Sequence, residues 1–441
     1  MAIKDIDNAR FEYIVNDKNE GTICSISYVK GDTVTIPDCI DGIPIKGLAY
    51  SFPQYKNVKH IILSDGISSL PEGFLQNNQY IRSVRWPSSC TIIPEGCFRS
   101  CYELREVKNL KNVKAIGAFA FASSGVSSFD LSDTEIENVG ENAFAGSFIR
   151  SISWPSKCTY IPKHCFSDSK LKEINNISNI ECIKKGAFDS CYLIGELDLN
   201  SAKIKDIESF AFNCCSYLES VIWPSDCESI PPSCFYSTRL SNISNIEHVE
   251  FIGAKALASS AIKTLDLSSN KVEEVGLGAF EGCYDLEEII WSENCETIPP
   301  LCFSHCSKLS SIKNTKSVKY IQNFAFERSG FSSLNFQEDF PNLEFIGRSS
   351  FAESVALESV VWPDIPQPVN DNIFFRCSSL SDITNLNTAT EIGKFAFAYT
   401  KISNIDLSSS LMKKIDRTSF NGCELNTFIP PYYVSCPLET T

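Results

Sequence analysis

The sequence predicts a single repeat solenoid of α/β type: a right-handed superhelix of about 16 to 17 coils of roughly 23 residues each, with a parallel concave β-sheet and short helical or irregular convex turns. Three observations carry this. An anchor residue, phenylalanine at all but one position, returns every 22 to 25 residues. The apolar residues between these anchors return at matching offsets, and a longer period of about 69 residues, or three coils, lies above the first.

The anchors are Phe52, Phe74, Phe98, Phe121, Phe144, Phe166, Phe188, Phe212 and Phe235, then Leu257, then Phe280, Phe303, Phe326, Phe351, Phe374, Phe397 and Phe420. Between them the run Leu286, Ile289, Trp291, Ile298, Phe303 shows the inward positions of one coil. Its first part, Leu286 to Trp291, reads as a short strand. The small residues around the anchor, as in Gly278-Ala279-Phe280-Glu281-Gly282-Cys283, suit a tight turn or one turn of helix. One coil cannot bury its own apolar face; stacked coils join their faces into a continuous core.

The three-coil period is legible two residues after the central aliphatic of each strand. That slot reads Trp86, Asn109, Leu131; Trp154, Asn176, Leu199; Trp223, Asn245, Leu267; Trp291, Asn314, Phe336; Trp362, Asn385, Leu407. Packing is the expected role of the tryptophans, with a ligand-stacking platform as the alternative. The asparagines are expected to cap backbone groups where a strand turns, with a sugar-binding ladder as the alternative.

Residues 1–44 are expected to form a β-rich cap, 45–430 the solenoid and 431–441 a C-terminal tail. Of the 441 residues, 43% are hydrophobic and 21% charged, the balance of a folded globular chain. A formal charge of −15 with no basic tract disfavours nucleic acid and anionic lipid as partners. No stretch is long and apolar enough to span a bilayer, so no direct membrane insertion is expected. The acidic start Met1-Ala2-Ile3-Lys4-Asp5-Ile6-Asp7 lacks a secretory signal pattern, which by itself points to the cytoplasm.

The strings Ile116-Gly117-Ala118-Phe119-Ala120-Phe121 and Val275-Gly276-Leu277-Gly278-Ala279-Phe280-Glu281-Gly282-Cys283 resemble the BspA-type leucine-rich repeat. The lead-in, Thr33-Val34-Thr35-Ile36-Pro37 followed by Ile40-Asp41-Gly42-Ile43-Pro44-Ile45, is similar to the strand-rich start of that family. The resemblance covers nearly the whole chain. It implies a non-enzymatic protein-interaction or adhesion module at a cell surface, with a host-cell or extracellular-matrix protein as partner; the alternative is a structural or antigenic surface repeat without one ligand. The high cysteine content is closer to the protist members, such as those of trichomonads, than to the bacterial ones.

The twenty cysteines are read by slot. Cys97, Cys165, Cys234 and Cys302 precede the anchor where other coils carry alanine, and Cys90, Cys158, Cys227 and Cys295 replace inward aliphatics. Cys101, Cys191, Cys215, Cys283, Cys306, Cys377 and Cys423 stand three after the anchor, where other coils carry serine or threonine. Cys191 with Cys215, and Cys283 with Cys306, share that slot in adjacent coils, so both free thiols and disulfides remain open there. The run Cys302-Phe303-Ser304-His305-Cys306 lacks the second cluster that a structural zinc needs.

Four histidines, His60, His164, His248 and His305, fall in unrelated slots of distant coils, and no phosphate loop or metalloprotease motif is present. No catalytic residue, cofactor or metal is expected. Asn176 and Asn242 open Asn-x-Ser sequons that matter only in a secretory pathway. Residues flanking the inward aliphatic of each strand should face the concave side. Along them a polar, mildly acidic strip is expected to bind protein, marked by Asp130, Asp198, Ile222, Trp223, Asp266, Ile290, Trp291 and Val361. The chain is expected to act as a monomer.

Overall fold

A computed structural model describes residues 2–193 and 195–432; most of the expected tail, from 433 onward, lies outside the described residues. The chain divides into two compact units, Met1–Leu218 and Glu219–Thr441.

The first unit opens on strands Ala2–Ile6, Ala9–Val15 and Gly21–Ser27, paired antiparallel, with Ile43–Leu48 added in parallel to the third. Alternation explains the pairing: Phe11 and Tyr13 are buried on one face of the second strand while their neighbours face outward. Thr33–Ile36 leaves this sheet and pairs in parallel with His60–Leu63 of the first coil. The hand-over from cap to coils is therefore interleaved, since Thr33–Ile36 already belongs to the stack.

Each later coil carries two strand columns rather than the one that the sequence suggests. The first is a three-residue strand such as Ser83–Arg85 or Glu288–Ile290. The second is a two-residue strand such as Ile92–Ile93 or Thr297–Ile298, too short to show an alternating pattern of its own. A third column of inter-coil hydrogen bonds runs through the anchor turn, where Phe119, Phe121 and Ser123 donate to the carbonyls of Glu141, Ala143 and Ala145.

That turn is tight because the residues two before and two after the anchor adopt left-handed backbone conformations, as at Gly278 and Gly282 around Phe280. Glycine and asparagine suit those positions sterically. The same pattern corrects one anchor. Gly73 and Asn77 are the left-handed pair of their coil, and the Leu75 amide donates to Cys97 as the Phe98 amide does to Ala120. Leu75 is thus the anchor, and Phe74 fills the small-residue slot before it; a large aromatic beside a leucine draws a composition-based reading one residue off.

Within each unit the anchors form a buried spine. Phe98, Phe121, Phe144, Phe166, Phe188 and Phe212 stack in succession at 5.0 to 5.5 Å between ring centroids. Phe280 through Phe420 stack likewise in the second unit, at 5.3 to 6.0 Å. Helix is nearly absent from the described residues: one four-residue turn, Phe336–Asp339, and one 3-10 turn, Leu386–Thr388.

Candidate functional site

The parallel sheet of three-residue strands is not continuous. Ser128–Asp130, Ser151–Ser153 and Glu173–Asn175 form one sheet, Thr264–Asp266, Glu288–Ile290 and Ser311–Lys313 another, and Ser333–Asn335, Ser359–Val361 and Asp382–Thr384 a third. In each, the strand of a tryptophan coil is central, and the sheet ends after the asparagine coil. The sheet break therefore follows the 69-residue period.

The inward apolar residues record the break. Ile152, Val221 and Ile289 of tryptophan coils are fully buried, whereas Val107 and Phe129, or Ile243 and Leu265, which face each other across a break, retain 7 to 9% exposure. Ile174 and Leu197 are half-buried. Crevices open there. One of about 730 Å³ lies between Arg105–Lys111 and Ser128–Thr134. One of about 460 Å³ lies between the Lys172–Ser178 and Glu196–Ser201 segments, and one of about 340 Å³ between Ser241–Glu247 and Ile262–Asn270.

Local chemistry shapes these openings. Asn109, Asn176 and Asn245 are left-handed, and each Nδ2 donates back to the carbonyl of the tryptophan one coil earlier, Trp86, Trp154 and Trp223, at 2.6 to 2.8 Å. Asn314 and Asn385 do likewise to Trp291 and Trp362. The capping role expected of all five is thus observed. On the opposite rim stand Asp130, Asp198 and Asp266, each ending its strand and accepting backbone amides two or three residues ahead. The hydroxyl and amide of Ser132 hold the Asp130 carboxyl below the usual carboxylate range, and Ser268 does the same for Asp266.

At the fourth break the coil is longer, and the helix Phe336–Asp339 takes up the extra residues. Its Asp339 carbonyl accepts the Thr315 hydroxyl of the preceding coil, so here the two coils are bonded across.

The structure distributes the expected contact residues unevenly. Asp130, Asp198 and Asp266 are exposed, and each lines a crevice. Ile222, Ile290 and Val361 are half-exposed on tryptophan-coil strands, and Ile290 pairs directly beside Asp266. Trp223 and Trp291 do not reach the surface: both are fully buried against Phe235 and Phe303, with Nε1 donating to the carbonyls of Cys227 and Cys295. Alternation accounts for them: each lies two residues after an inward aliphatic, Val221 or Ile289, and so shares its buried face, which is the packing role expected of the tryptophans and not that of a contact residue.

A scan against family models matches the BspA-type leucine-rich repeat region over residues 28–148, 137–263, 228–345 and 344–434. The chain belongs to the BspA-type leucine-rich repeat family. Among solved structures, this BspA-type chain is similar to a leucine-rich repeat protein from Bacteroides ovatus at 18% identity and a TM-score of 0.60, covering 94% of this chain and 100% of that one. It is also similar to a leucine-rich cell surface protein from Faecalibacterium prausnitzii at 18% identity and a TM-score of 0.42, covering 87% and 94%. The likeness to the Bacteroides ovatus protein is one of fold. No curated protein sequence matches the chain.

The cysteines of this BspA-type repeat behave as its slots predict. Cys101, Cys191, Cys215, Cys283, Cys306, Cys377 and Cys423 each donate a thiol hydrogen bond to the carbonyl of the preceding coil's anchor, at 2.8 to 3.2 Å. Burial pushes the Cys101, Cys191 and Cys377 thiols up to about 12. All described cysteines are free thiols. In the Cys302–Cys306 run, Cys302 is buried and the His305 ring lies 3.4 Å from the Arg328 guanidinium, a cation where a metal would need room.

Two clusters bear on chemistry. His60 Nδ1 lies 2.7 Å from Ser83 Oγ, yet among the described residues no carboxylate orients the ring from its other side. Cys182, Asp206 and Glu208 bring a thiol and two carboxylates within 4.8 Å of one another. There the Lys184 ammonium, 3.0 Å from Glu208 and 3.9 Å from Asp206, already supplies the countercharge. Leucine-rich repeat folds of this kind serve in general as protein-interaction scaffolds rather than as catalysts. No helix among the described residues is long and apolar enough to cross a membrane.

Proposed function

We propose that this protein is a non-enzymatic recognition module that binds a protein partner along its three-residue strands, and that the partner is a host-cell or extracellular-matrix protein to which it adheres. The observation that carries the reading is the repetition of one crevice, with an apolar floor, an asparagine on one rim and an aspartate on the other, at Asp130, Asp198 and Asp266. Partially exposed apolar side chains beside ordered carboxylates suit protein contacts, where a few buried anchors supply most of the affinity and charges set the register. The half-exposed Ile222, Ile290 and Val361 add apolar contacts on neighbouring strands.

Capture from solubilised extracellular matrix, followed by mass spectrometry, tests this with the full chain and with an Asp130→Ala/Asp198→Ala/Asp266→Ala variant. All three side chains are exposed but each accepts turn amides, so circular dichroism should show the variant folded and slightly less stable than the parent. The reading expects a defined protein retained by the parent chain and reduced at least tenfold with the variant. Equal retention by both would assign the contact elsewhere.

A further inference from the structure

A different surface combines features that the strand face lacks. Four consecutive coils of the first unit place Phe148, Lys170, Tyr192 and Tyr217 in one row, four or five residues after the anchors Phe144, Phe166, Phe188 and Phe212. Arg150 and Lys172 form a second row immediately before their strands, and the Lys172 amide bonds to the Arg150 carbonyl of the coil before. Together these six side chains line a concavity of about 420 Å³.

Its aromatic content is exposed: Phe148 is 50% and Tyr217 43% accessible. Tyr192 and Tyr217 stack at 5.3 Å, and the Lys170 ammonium stands 4.0 Å over the Tyr192 ring. Lys170 comes from the coil before Tyr192 and Tyr217 from the coil after, so both faces of Tyr192 are taken. The open apolar surface is then Phe148 and the outer side of Tyr217. Among the described residues, Arg150, Lys170 and Lys172 make no ion pair, whereas Lys157, Lys163 and Lys184 of the same unit are matched to carboxylates. Three unmatched cations around exposed aromatics, in a chain of net charge −15, form a local reversal of sign.

We propose that this flank of the first unit is a docking site for an acidic peptide segment that carries an aromatic side chain. The cations supply charge complementarity for carboxylates, and Phe148 with Tyr217 supplies an apolar seat between them. Aromatic residues and arginine are the residue types over-represented at energetically dominant contact points. Four coils at inter-strand spacing span roughly 14 Å, the reach of about four extended residues, so a short linear segment covers the whole row. A stacked base or sugar ladder suits the site less well, because the central ring is already sandwiched. The site is separate from the strand-face crevices and does not depend on them.

The test uses fluorescence anisotropy with the full-length protein and a labelled octapeptide of alternating glutamate and tyrosine. The expected result is saturable binding that weakens at least tenfold when glutamine replaces glutamate in the peptide, and at least tenfold in an Arg150→Ala/Lys170→Ala/Lys172→Ala variant. A Lys18→Ala/Lys56→Ala/Lys114→Ala variant, which removes the same charge elsewhere, should bind within twofold of the parent. The Asp130→Ala/Asp198→Ala/Asp266→Ala variant should also bind the octapeptide normally, which separates this site from the strand-face reading. Equal binding by the Arg150/Lys170/Lys172 variant would overturn the proposal. So would equal binding of the glutamine peptide, or capture of a heparin octasaccharide at this site with no binding of the octapeptide.

Discussion

Asn245 carries two burdens: a left-handed backbone with φ of 59° and a 2.7 Å bond from its Nδ2 to the Trp223 carbonyl. Alanine loses the hydrogen bond and pays the left-handed penalty, together about 1.5 to 3 kcal/mol, whereas glycine loses only the bond. Chemical denaturation should therefore rank Asn245→Ala below Asn245→Gly, with both below the parent; equal stabilities would remove the asparagine's capping role. Asp266 offers a titration. Its folded pKa is lowered, first by the Ser268 hydroxyl, so its contribution is complete above the ordinary carboxylate pKa and is lost as pH falls through the lower folded value. NMR titration of the side-chain carboxyl should place its midpoint below that of an ordinary aspartate, and Ser268→Ala should raise it. Both roles follow from residue types visible in the sequence, since asparagine tolerates the left-handed region and Asp-x-Ser favours a local turn. The burial of Trp223 and Trp291 was legible from their place two residues after the inward Val221 and Ile289; counting them also among the contact residues ignored that alternation.

The coil as an element explains why an aliphatic-glycine pair, isoleucine or valine followed by glycine, recurs before the anchor. A Cβ on Gly276 would come within 2.4 Å of the Ala254 amide nitrogen, and one on Gly140 equally close to that of Ala118. Glycine there permits backbone of adjacent coils to touch, which brings their anchors into stacking distance. Gly276→Ala should accordingly lower thermal stability well beyond the cost of an exposed alanine, and more than Gly195→Ala, where the left-handed backbone (φ 76°) strains alanine but the added bulk meets nothing within 4 Å. Comparable melting of the two variants would deny the close approach. The anchors and the three-coil period were legible because each coil repeats its neighbour's inward residues. The second strand column was hidden, because Thr297–Ile298 or Ile92–Ile93 is created by bonds between coils and not by a pattern within one. Phe74 misled for the opposite reason: its size mimics an anchor, and only the left-handed pair Gly73 and Asn77 reveals that Leu75 holds the slot. The flank row Phe148, Lys170, Tyr192 and Tyr217 left one faint signal, aromatic residues four or five after the anchor, as also at Tyr102 and Tyr284.

At the scale of the whole chain, a repeat protein's stability is close to a sum over coils and their nearest-neighbour contacts, so weak points appear where those contacts thin out. Interiors here are filled by apolar and aromatic side chains, with buried thiols that donate to carbonyls of the preceding coil, which leaves recognition to the outside. The central claim is that the working unit is three coils, interrupted once per unit on the strand face. Amide hydrogen exchange followed by mass spectrometry measures this directly. Strands bordering a crevice, Glu106–Lys108, Ser128–Asp130, Glu173–Asn175, Asn242–Ser244 and Thr264–Asp266, should exchange faster than the central strands Ser151–Ser153 and Glu288–Ile290, with the fast segments recurring at the three-coil period. Uniform protection across all of these strands would mean an unbroken sheet and would contradict the account.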